Sequence, residues 1–211
     1  MNDYWDSRFQ AEGRIWGEIP SRTAEYALGL FRRNKVRKIL VPGSGYGRNT
    51  KVFSTSGFDV TGIEISAVAH ELAQTFDPLS SFYNASVLDM SFDKDSYDAI
   101  YCFNVLHLLR EEERNLFVQQ CIDKVKNNGL MFFTVFSEQE ESYGRGEEVE
   151  KNTFESRPGR PAHYFDEDDL REQFKCTELL ETGTIDEPEE HGGQPHIHIL
   201  RYIYVRVLSR A

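Results

Sequence analysis

A glycine-rich segment directly after a short apolar run constrains the fold of this chain more than any other feature. The run Lys38–Val41 is short and contains β-branched residues, which indicates a buried strand. Gly43, Gly45 and Gly47 follow it and lead into a helix-like segment. Glycine lets the chain turn sharply and lets a ligand approach the backbone, and the next helix presents free N–H groups. The segment predicts a strand–turn–helix unit with a ligand at its turn. The alternative is a tight structural turn.

The rest of the chain alternates strand-like and helix-like segments, which is typical of a parallel sheet covered by helices. We predict strands near residues 38–41, 59–63, 82–85, 97–103, 130–136, 176–184 and 198–207, and helices near residues 21–33, 48–56, 66–76, 111–126 and 166–174. A short connection near residues 187–195 indicates that the last two strands form an antiparallel hairpin. Residues 1–211 are therefore predicted to form a single α/β domain with a doubly wound sheet.

Two segments lie outside this alternation. Residues 1–34 contain Trp5 and Trp16, and we predict that they form a helical cover over the site. Residues 137–165 are polar, charged and too long for a simple connection, so we predict a lid or binding loop on the substrate side. The alternatives are ordinary packing of an N-terminal helix and a solvated loop.

Two acidic residues follow predicted strands at the same edge of the sheet. Glu64 ends the second strand, and a carboxylate there can accept hydrogen bonds from both hydroxyls of a ribose. Asp89 follows the third strand and can accept from an adenine amino group. With the glycine segment, they predict an adenosine site at the carboxyl edge of the sheet. A nicotinamide cofactor is disfavoured because Arg48 stands where the fingerprint Gly-x-Gly-x-x-Gly requires glycine.

Four segments, in this order, resemble the successive motifs of class I S-adenosylmethionine (SAM)-dependent methyltransferases. They are Val41–Gly47, Gly62–Ser66, Leu88–Asp89 and Tyr97–Tyr101. Gly45–Asn49 is also similar to the tellurite-resistance branch, and the tryptophan-bearing N-terminus is similar to thiopurine and thiol methyltransferases. The resemblance implies a Rossmann-like, seven-stranded, mostly parallel sheet with an antiparallel last strand and helices on both faces.

The resemblance also implies SAM as the cofactor and assigns residues to its parts. It implies that Gly43, Gly45 and Gly47 contact the methionine part, Glu64 the ribose, Asp89 and Met90 the adenine, and Phe103 the methionine or the transferring methyl. One departure concerns Val41, because many members carry an acid at that position. The amino group of SAM then needs another partner, such as a backbone carbonyl near the glycine turn or the end of the fourth strand.

The catalytic demand on such a site is small, because the sulfonium of SAM already activates the methyl group. The protein must align the acceptor and exclude water, so we expect no obligatory triad. His107, after the fourth strand, is a candidate base, and a structural histidine is the alternative. Tyr46, within the glycine segment, is a second polar candidate.

Aromatic and basic residues of the two flanking segments are candidates for substrate contact. Trp5 and Trp16 lie in the predicted cover, and Tyr143, Arg145 and Arg160 lie in the predicted lid. Arginines near the site can bind an anionic substrate through bidentate hydrogen bonds. The alternative is that these arginines belong to a mobile, solvated loop.

Histidines near the C-terminus and dispersed cysteines raise the question of a metal. His191, His196 and His198 are close in sequence, and the last two share a strand face. We predict ordinary hydrogen bonds for them and no metal site, although three imidazoles can bind zinc or nickel. The three cysteines are far apart and form no Cys-x-x-Cys pair, which disfavours a disulfide framework or zinc knuckle.

The net charge of −11 limits the partners, because an acidic surface repels phosphate backbones, and we expect no nucleic-acid partner. The chain lacks a long apolar run and a secretory signal, so we expect a cytoplasmic protein without a membrane partner. The sequence does not predict the oligomeric state.

These features predict an enzyme that transfers a methyl group from SAM to a small-molecule nucleophile. A thiol or chalcogen is preferred on branch resemblance alone, since a fold does not determine a substrate. Two alternatives stay open. A protein side-chain methyltransferase requires a substrate cleft open to the surface. A non-catalytic SAM-binding regulator requires that the chain's own side chains block the methyl-facing side.

Overall fold

The computed structural model describes residues 2–191 and 194–209 of the chain. The helices are α1 (Asn2–Glu12), α2 (Arg22–Arg33), α3 (Thr50–Ser54), α4 (Ala67–Phe76), α5 (Glu111–Lys124) and α6 (Glu167–Gln173), and Leu106–Leu108 forms a short 3-10 helix. The strands are β1 (Lys38–Pro42), β2 (Asp59–Glu64), β3 (Ser81–Asn84), β4 (Tyr97–Phe103), β5 (Val125–Phe136), β6 (Glu147–Glu150), β7 (Thr153–Glu155), β8 (Pro161–His163), β9 (Glu178–His191) and β10 (Gln194–Arg206).

Seven strands form the main sheet in the order β3-β2-β1-β4-β5-β10-β9. Neighbouring strands from β3 to β5 pair in parallel, whereas β10 is antiparallel to both β5 and β9. The predicted doubly wound sheet with an antiparallel last strand is confirmed. The strand order reverses between β1 and β4, and ligands bind such sheets in the crevice beyond the carboxyl ends of these strands.

The two faces of the sheet have separate apolar cores. On one face, Ile100 and Cys102 of β4 pack in a cluster with Phe117 of α5. On the other face, Ala99 and Tyr101 pack in a cluster with the apolar side of α2. Successive side chains of a strand point to opposite faces, so β4 contributes to both cores. This position explains why β4 is apolar at every residue from Ala99 to Phe103.

Three predicted helix starts are confirmed by side-chain caps. The side chains of Ser21, Ser66 and Asp166 accept hydrogen bonds from N–H groups in the first turns of α2, α4 and α6. The helix predicted at residues 48–56 is shorter, because the turn after β1 extends to Asn49, whose side chain accepts from the N–H of Ser21 at 3.0 Å. Among the described helices, none has the length and apolar character to cross a membrane.

The predicted antiparallel pairing of the last two strands is confirmed, but the predicted bounds of their connection, residues 187–195, are wrong. β9 and β10 remain paired through this region, with Glu187 opposite His198. β9 ends at His191 and β10 begins at Gln194, and residues 192–193 lie outside the described part. Glu187, which falls within the predicted connection, is buried and accepts a hydrogen bond from the hydroxyl of Ser21 at 2.9 Å.

The segment predicted as a lid loop contains regular structure. β6, β7 and β8 form a three-stranded antiparallel sheet, which we call the insert sheet. His163 anchors it, because its two ring nitrogens contact Asp169 at 2.6 Å and the hydroxyl of Thr153 at 2.8 Å. Strands of three or four residues are too short to show a period-two pattern, so they could not be predicted from the sequence.

Candidate active site

The turn after β1 has a backbone conformation that suits glycine. Gly43, Gly45 and Gly47 have φ angles of 67°, 56° and 87°, a region that costs other L-residues about 1–2 kcal/mol each. The N–H groups of Gly43 and Ser44 donate to the carbonyl of Ile63 at 2.8 and 3.0 Å. These bonds attach the turn to β2 and hold its backbone beside the point where the strand order reverses.

The three glycines have different neighbours. A Cβ at Gly43 would lie 2.2 Å from Cγ2 of Val105, and one at Gly47 would contact both α3 and α4. These two glycines therefore permit close packing within the chain itself. A Cβ at Gly45 would meet Phe9, at 4.0 Å, as its nearest described neighbour. Of the three positions, Gly45 leaves the most room for a ligand beside the backbone.

The carboxylate of Glu64 is held by backbone donors at the end of β2. Oε2 accepts from the N–H of Gly45, and Oε1 accepts from the N–H of Ser66, both at 2.8 Å. The residue is 6% exposed, and burial raises the pKa of Glu64, while the N–H groups of Ser66 and Gly45 oppose this rise. Each oxygen has a second lone pair, so the carboxylate can still accept from two hydroxyl groups.

The segment after β3 is held by a side chain from α5. Gln120 donates to the carbonyl of Leu88 at 2.5 Å and accepts from the N–H of Met90 at 2.9 Å. Asp89 between them is exposed, and hydrogen bonding to Ser91 lowers its pKa. The side chain of Met90 is buried in the core. The carboxylate of Asp89 is therefore accessible to a ligand, whereas the backbone N–H of Met90 already donates to Gln120.

Phe103 and Asn104 end β4 across the crevice from the glycine turn. The ring centre of Phe103 lies 5.5 Å from the guanidinium carbon of Arg48. Asn104 has a φ angle of 56°, and its side-chain oxygen accepts from the hydroxyl of Thr134 at 3.0 Å. Non-glycine residues with positive φ are uncommon and cluster at functional sites. This conformation gives the end of β4 a fixed shape beside the predicted methyl position.

Arg48 connects the glycine turn to the N-terminal segment and to β9. It is buried, donates to the carbonyl of Trp16 at 3.2 Å and forms an ion pair with Glu189 at 2.9 Å. In the sequence, Arg48 disfavoured a dinucleotide and belonged to the motif Gly45–Asn49, but nothing there indicated this role. Its partner is 141 positions away along the chain, so no local pattern could indicate it.

An aromatic cluster from the N-terminal segment lies over the glycine turn. Trp5, Phe9 and Trp16 pack with Tyr46, with ring centres of 6.0 to 6.3 Å between neighbours. The carboxylate of Asp6 holds α1 in this position by accepting hydrogen bonds from the N-terminal end of α4. The structure thus brings both tryptophans beside the turn.

The two catalytic candidates are buried and have structural partners. Tyr46 donates to the carbonyl of Gly17 at 2.7 Å and accepts from the N–H of Trp16 at 3.2 Å, and burial raises the pKa of Tyr46 to about 12. His107 stacks on Phe136 with ring centres 3.9 Å apart, and its Nδ1 accepts from the N–H of Phe136 at 3.3 Å. Burial lowers the pKa of His107 to about 3, which makes it a weak base near neutral pH.

A cleft of about 610 Å³ lies between α1 and the segment that joins β7 to β8. Its lining residues are Tyr4, Ser7, Arg8, Glu12, Ser156, Arg157 and Arg160. The guanidinium carbon of Arg160 lies 3.7 Å from the ring centre of Tyr4, which joins the two sides. The lining contains three arginines and one acidic residue, Glu12, so the cleft carries a net positive charge. We call it the arginine cleft.

Two of the predicted substrate residues lie elsewhere. Arg145 is exposed and pairs with Glu141, and the hydroxyl of Tyr143 donates to Asn152 at 3.0 Å. Arg157, which was not among the predicted substrate residues, lines the arginine cleft instead. A separate cleft of about 440 Å³ between α5 and α6 is lined by none of the predicted site residues.

The sequence itself matches a known domain family. Residues 40–133, which extend from β1 into β5, match the family model described as a methyltransferase domain. The resemblance to methyltransferases is confirmed by this match. A comparison with curated protein sequences found no match.

The fold is similar to solved structures over nearly the whole chain. Magnesium protoporphyrin IX methyltransferase from Synechocystis PCC 6803, solved with bound S-adenosylhomocysteine (SAH), has a TM-score of 0.74 at 16% identity, covering 98% of this chain and 97% of that one. A structure solved for the conversion of a disulfide bond into a thioacetal group during echinomycin biosynthesis has a TM-score of 0.78 at 14% identity, covering 100% and 94%. TehB from Haemophilus influenzae has a TM-score of 0.66 at 16% identity, covering 98% and 66%. At these identities the comparison establishes the shared fold.

Proposed function

We propose that this protein is an enzyme that transfers the methyl group of SAM to a small-molecule nucleophile. The observation that carries the proposal is the buried carboxylate of Glu64, oriented by the N–H groups of Gly45 and Ser66 at the crevice of the sheet. This carboxylate would accept from the ribose hydroxyls, and Asp89 would accept from the adenine amino group. The methyltransferase-domain match over residues 40–133 supports the same cofactor.

The methionine part of SAM would lie between Gly45 and the end of β4. Gly43 and Gly47 would contribute by shaping the turn, since both pack against the chain itself. A positive guanidinium close to Phe103 would repel the sulfonium if it were alone. Because Glu189 pairs with Arg48, the two charges cancel, and a cationic methyl donor can occupy this place.

The chemistry then needs alignment more than proton transfer. The acceptor attacks the methyl carbon, the bond from carbon to the sulfonium breaks, and SAH leaves. A thiolate or chalcogen anion attacks without a base, which fits a site where burial lowers the pKa of His107 to about 3. Branch resemblance favours this acceptor class, and the structural neighbour from the thioacetal study adds support.

The arginine cleft favours an anionic acceptor over a basic peptide. Arg8, Arg157 and Arg160 line it, and guanidinium groups bind carboxylates and phosphates through paired N–H donors. A protein side chain flanked by lysines would be repelled there. We therefore propose a small acceptor that carries an anionic group beside its nucleophile. The net charge of −11 supports the exclusion of nucleic acid, and cytoplasmic residence stays a proposal from the sequence.

The cofactor is tested by calorimetric titration with SAM, SAH and NADH, using wild type and the double variant Glu64→Ala/Asp89→Ala. The proposal predicts that SAM and SAH bind the wild type, that the double variant loses this binding, and that NADH does not bind. Failure of a folded wild type to bind SAM or SAH would contradict the proposal, and binding of NADH instead would indicate an oxidoreductase.

The acceptor class is tested with SAM labelled in its methyl group. We expect faster labelling of 3-mercaptopropionate than of the uncharged 2-mercaptoethanol. The double variant Arg157→Ala/Arg160→Ala should lower kcat/KM for the charged thiol about 10- to 100-fold, as expected for loss of charge-assisted hydrogen bonds. Arg145→Ala is the matched control, since Arg145 is exposed and lies outside the cleft. Equal loss for both thiols, or in the control, would contradict the role of the cleft.

A further inference from the structure

Two histidines and a glutamate meet above the carboxyl edge of the main sheet. His196 and His198 are two residues apart on β10, and their ring centres lie 4.5 Å apart. Glu140 reaches them from the segment that follows β5, and its Oε2 lies 3.1 Å from Nδ1 of His198. One potential ligand atom from each of the three residues lies within 4.8 Å of the others.

The surrounding structure holds these side chains in place. Glu140 is buried, and its Oε1 accepts from the N–H of Ile199 at 2.5 Å. The ring of His198 stacks on Phe136 with ring centres 5.2 Å apart. Nε2 of His198 lies 3.7 Å from the carboxylate of Glu189. A carboxylate behind the outer ring nitrogen is the arrangement that orients metal-binding histidines elsewhere in proteins.

We propose that Glu140, His196 and His198 bind one divalent transition-metal ion. Imidazole nitrogens together with a carboxylate favour Zn²⁺, Co²⁺, Ni²⁺ or Fe²⁺, whereas Mg²⁺ and Ca²⁺ prefer oxygen ligands. Bond lengths near 2.0–2.2 Å in a tetrahedral site place neighbouring ligand atoms roughly 3.4 Å apart. The pair Glu140–His198 already has about this spacing, at 3.1 Å, and the ligand atom of His196 lies within 4.8 Å of both, so a small side-chain rotation of His196 completes the set.

The local charge is compatible with a cation. Glu140 and Glu189 contribute two carboxylates, and Arg48 offsets one of them through its ion pair. One net negative charge remains among these three side chains, which are 2% to 8% exposed, and a weakly solvated charge attracts a divalent ion strongly. Three protein ligands leave at least one coordination position for water or another ligand.

The site lies beside the predicted methyl-transfer face. Phe136, at the end of β5, stacks on both His198 and His107. Arg48 extends from Glu189 to the ring of Phe103. Sequence reasoning considered the histidines of this region but missed Glu140, which is 58 positions from His198. The side chain of His191, the third histidine, lies outside the described residues. Metal binding does not depend on SAM, so the two claims are tested separately.

The test is titration of chelator-treated, tag-free protein with Zn²⁺, Co²⁺ and Mg²⁺. We expect one Zn²⁺ or Co²⁺ per chain with micromolar or tighter affinity, the visible absorption of four- or five-coordinate Co²⁺, and no competition by millimolar Mg²⁺. His196→Asn and Glu140→Gln should each weaken Co²⁺ binding at least tenfold. His70→Asn, on α4, is the matched control and should bind like the wild type.

The folded state of each variant is checked by near-ultraviolet circular dichroism, and SAH binding is measured in parallel. His196 is only half-buried, so His196→Asn provides a folded variant even if Glu140→Gln unfolds. Absence of Co²⁺ and Zn²⁺ binding by folded wild type would overturn the proposal. Unchanged binding in folded His196→Asn, or equal loss in His70→Asn, would overturn it too. These results hold whether or not SAH binds.

Discussion

Replacing Glu64 with glutamine is the substitution that bears most sharply on the proposed cofactor site. The carboxylate accepts one backbone N–H on each oxygen and has one acceptor position per oxygen left for a ribose hydroxyl. The amide nitrogen of glutamine accepts nothing. Glu64→Gln therefore removes one ribose bond and leaves the N–H of Gly45 or Ser66 without its acceptor.

The size of the effect follows from these bonds. A hydrogen bond to a charged group contributes about 1.5–3 kcal/mol, and the remaining ribose bond also becomes a weaker, neutral one. With about 1.4 kcal/mol per tenfold change, the Kd for SAH should rise roughly 10- to 100-fold. The orphaned N–H should lower the free energy of unfolding by about 1–3 kcal/mol.

The assay is calorimetric titration with SAH at pH 8, because burial raises the pKa of Glu64 and the measurement needs the ionised carboxylate. Glu71→Gln makes the same chemical change on the exposed side of the neighbouring α4 and should bind like the wild type. A Kd for folded Glu64→Gln within threefold of the wild-type value would refute the assignment of the ribose to this carboxylate.

Three further predictions concern stability, acid sensitivity and the cover. Gly47→Ala should lower the free energy of unfolding by about 1–2 kcal/mol in urea titrations, because φ is 87° there; a change under about 0.5 kcal/mol would contradict this reasoning. Burial holds the pKa of His107 at about 3 in the folded state, below the value in the unfolded chain. The stabilisation that neutral His107 provides is therefore present above pH 6.5 and is lost as the pH falls towards 3. As the pH is lowered with chelator present, the free energy of unfolding of the wild type should fall by up to ~1.4 kcal/mol per pH unit more than that of His107→Gln. If the two proteins lose stability equally with falling pH, the pKa of His107 is not lowered. Trp5 and Trp16 are the two tryptophans of the chain, and both lie over the glycine turn. Binding of SAH should therefore change the tryptophan fluorescence emission, and Trp16→Phe should reduce that change. Unaltered emission at saturating SAH would place the ligand elsewhere.

Elements with local signals were predicted well. β1 follows from a short β-branched run, and α4 begins at the capping residue Ser66 and ends before the Asp77–Pro78 breaker. Such signals depend on neighbours within a few positions, so a single sequence contains them. The parallel order of the sheet follows in turn from alternation of strands and helices.

Elements that depend on distant partners were predicted poorly. The acidic end of β9 was predicted as part of the connection to β10. Its strand conformation depends on pairing with β10 and on burial of Glu187 against the start of α2. The helix predicted at residues 48–56 begins two positions later, at Thr50, for a similar reason, because Asn49 bonds to Ser21. Propensity cannot report contacts made 28 or 166 positions away.

The candidate site shows the same division. Glu64 and the glycine turn stand in fixed relation to β1 and β2, so their meeting could be predicted from the sequence. Gln120, which holds the segment around Asp89, and Arg48, which pairs with Glu189, act across elements that come together only in the folded chain. The sequence therefore predicted the sheet edge that we propose for the cofactor, but it did not indicate the side chains that support this edge.

A crystal structure of the protein with SAH tests the central claim most directly. The account predicts SAH in the crevice between the glycine turn and the end of β4, with both ribose hydroxyls about 2.5–3.0 Å from the carboxylate of Glu64 and the adenine amino group beside Asp89. SAH bound at any other place, or in this crevice with its ribose held by other groups, would contradict the account.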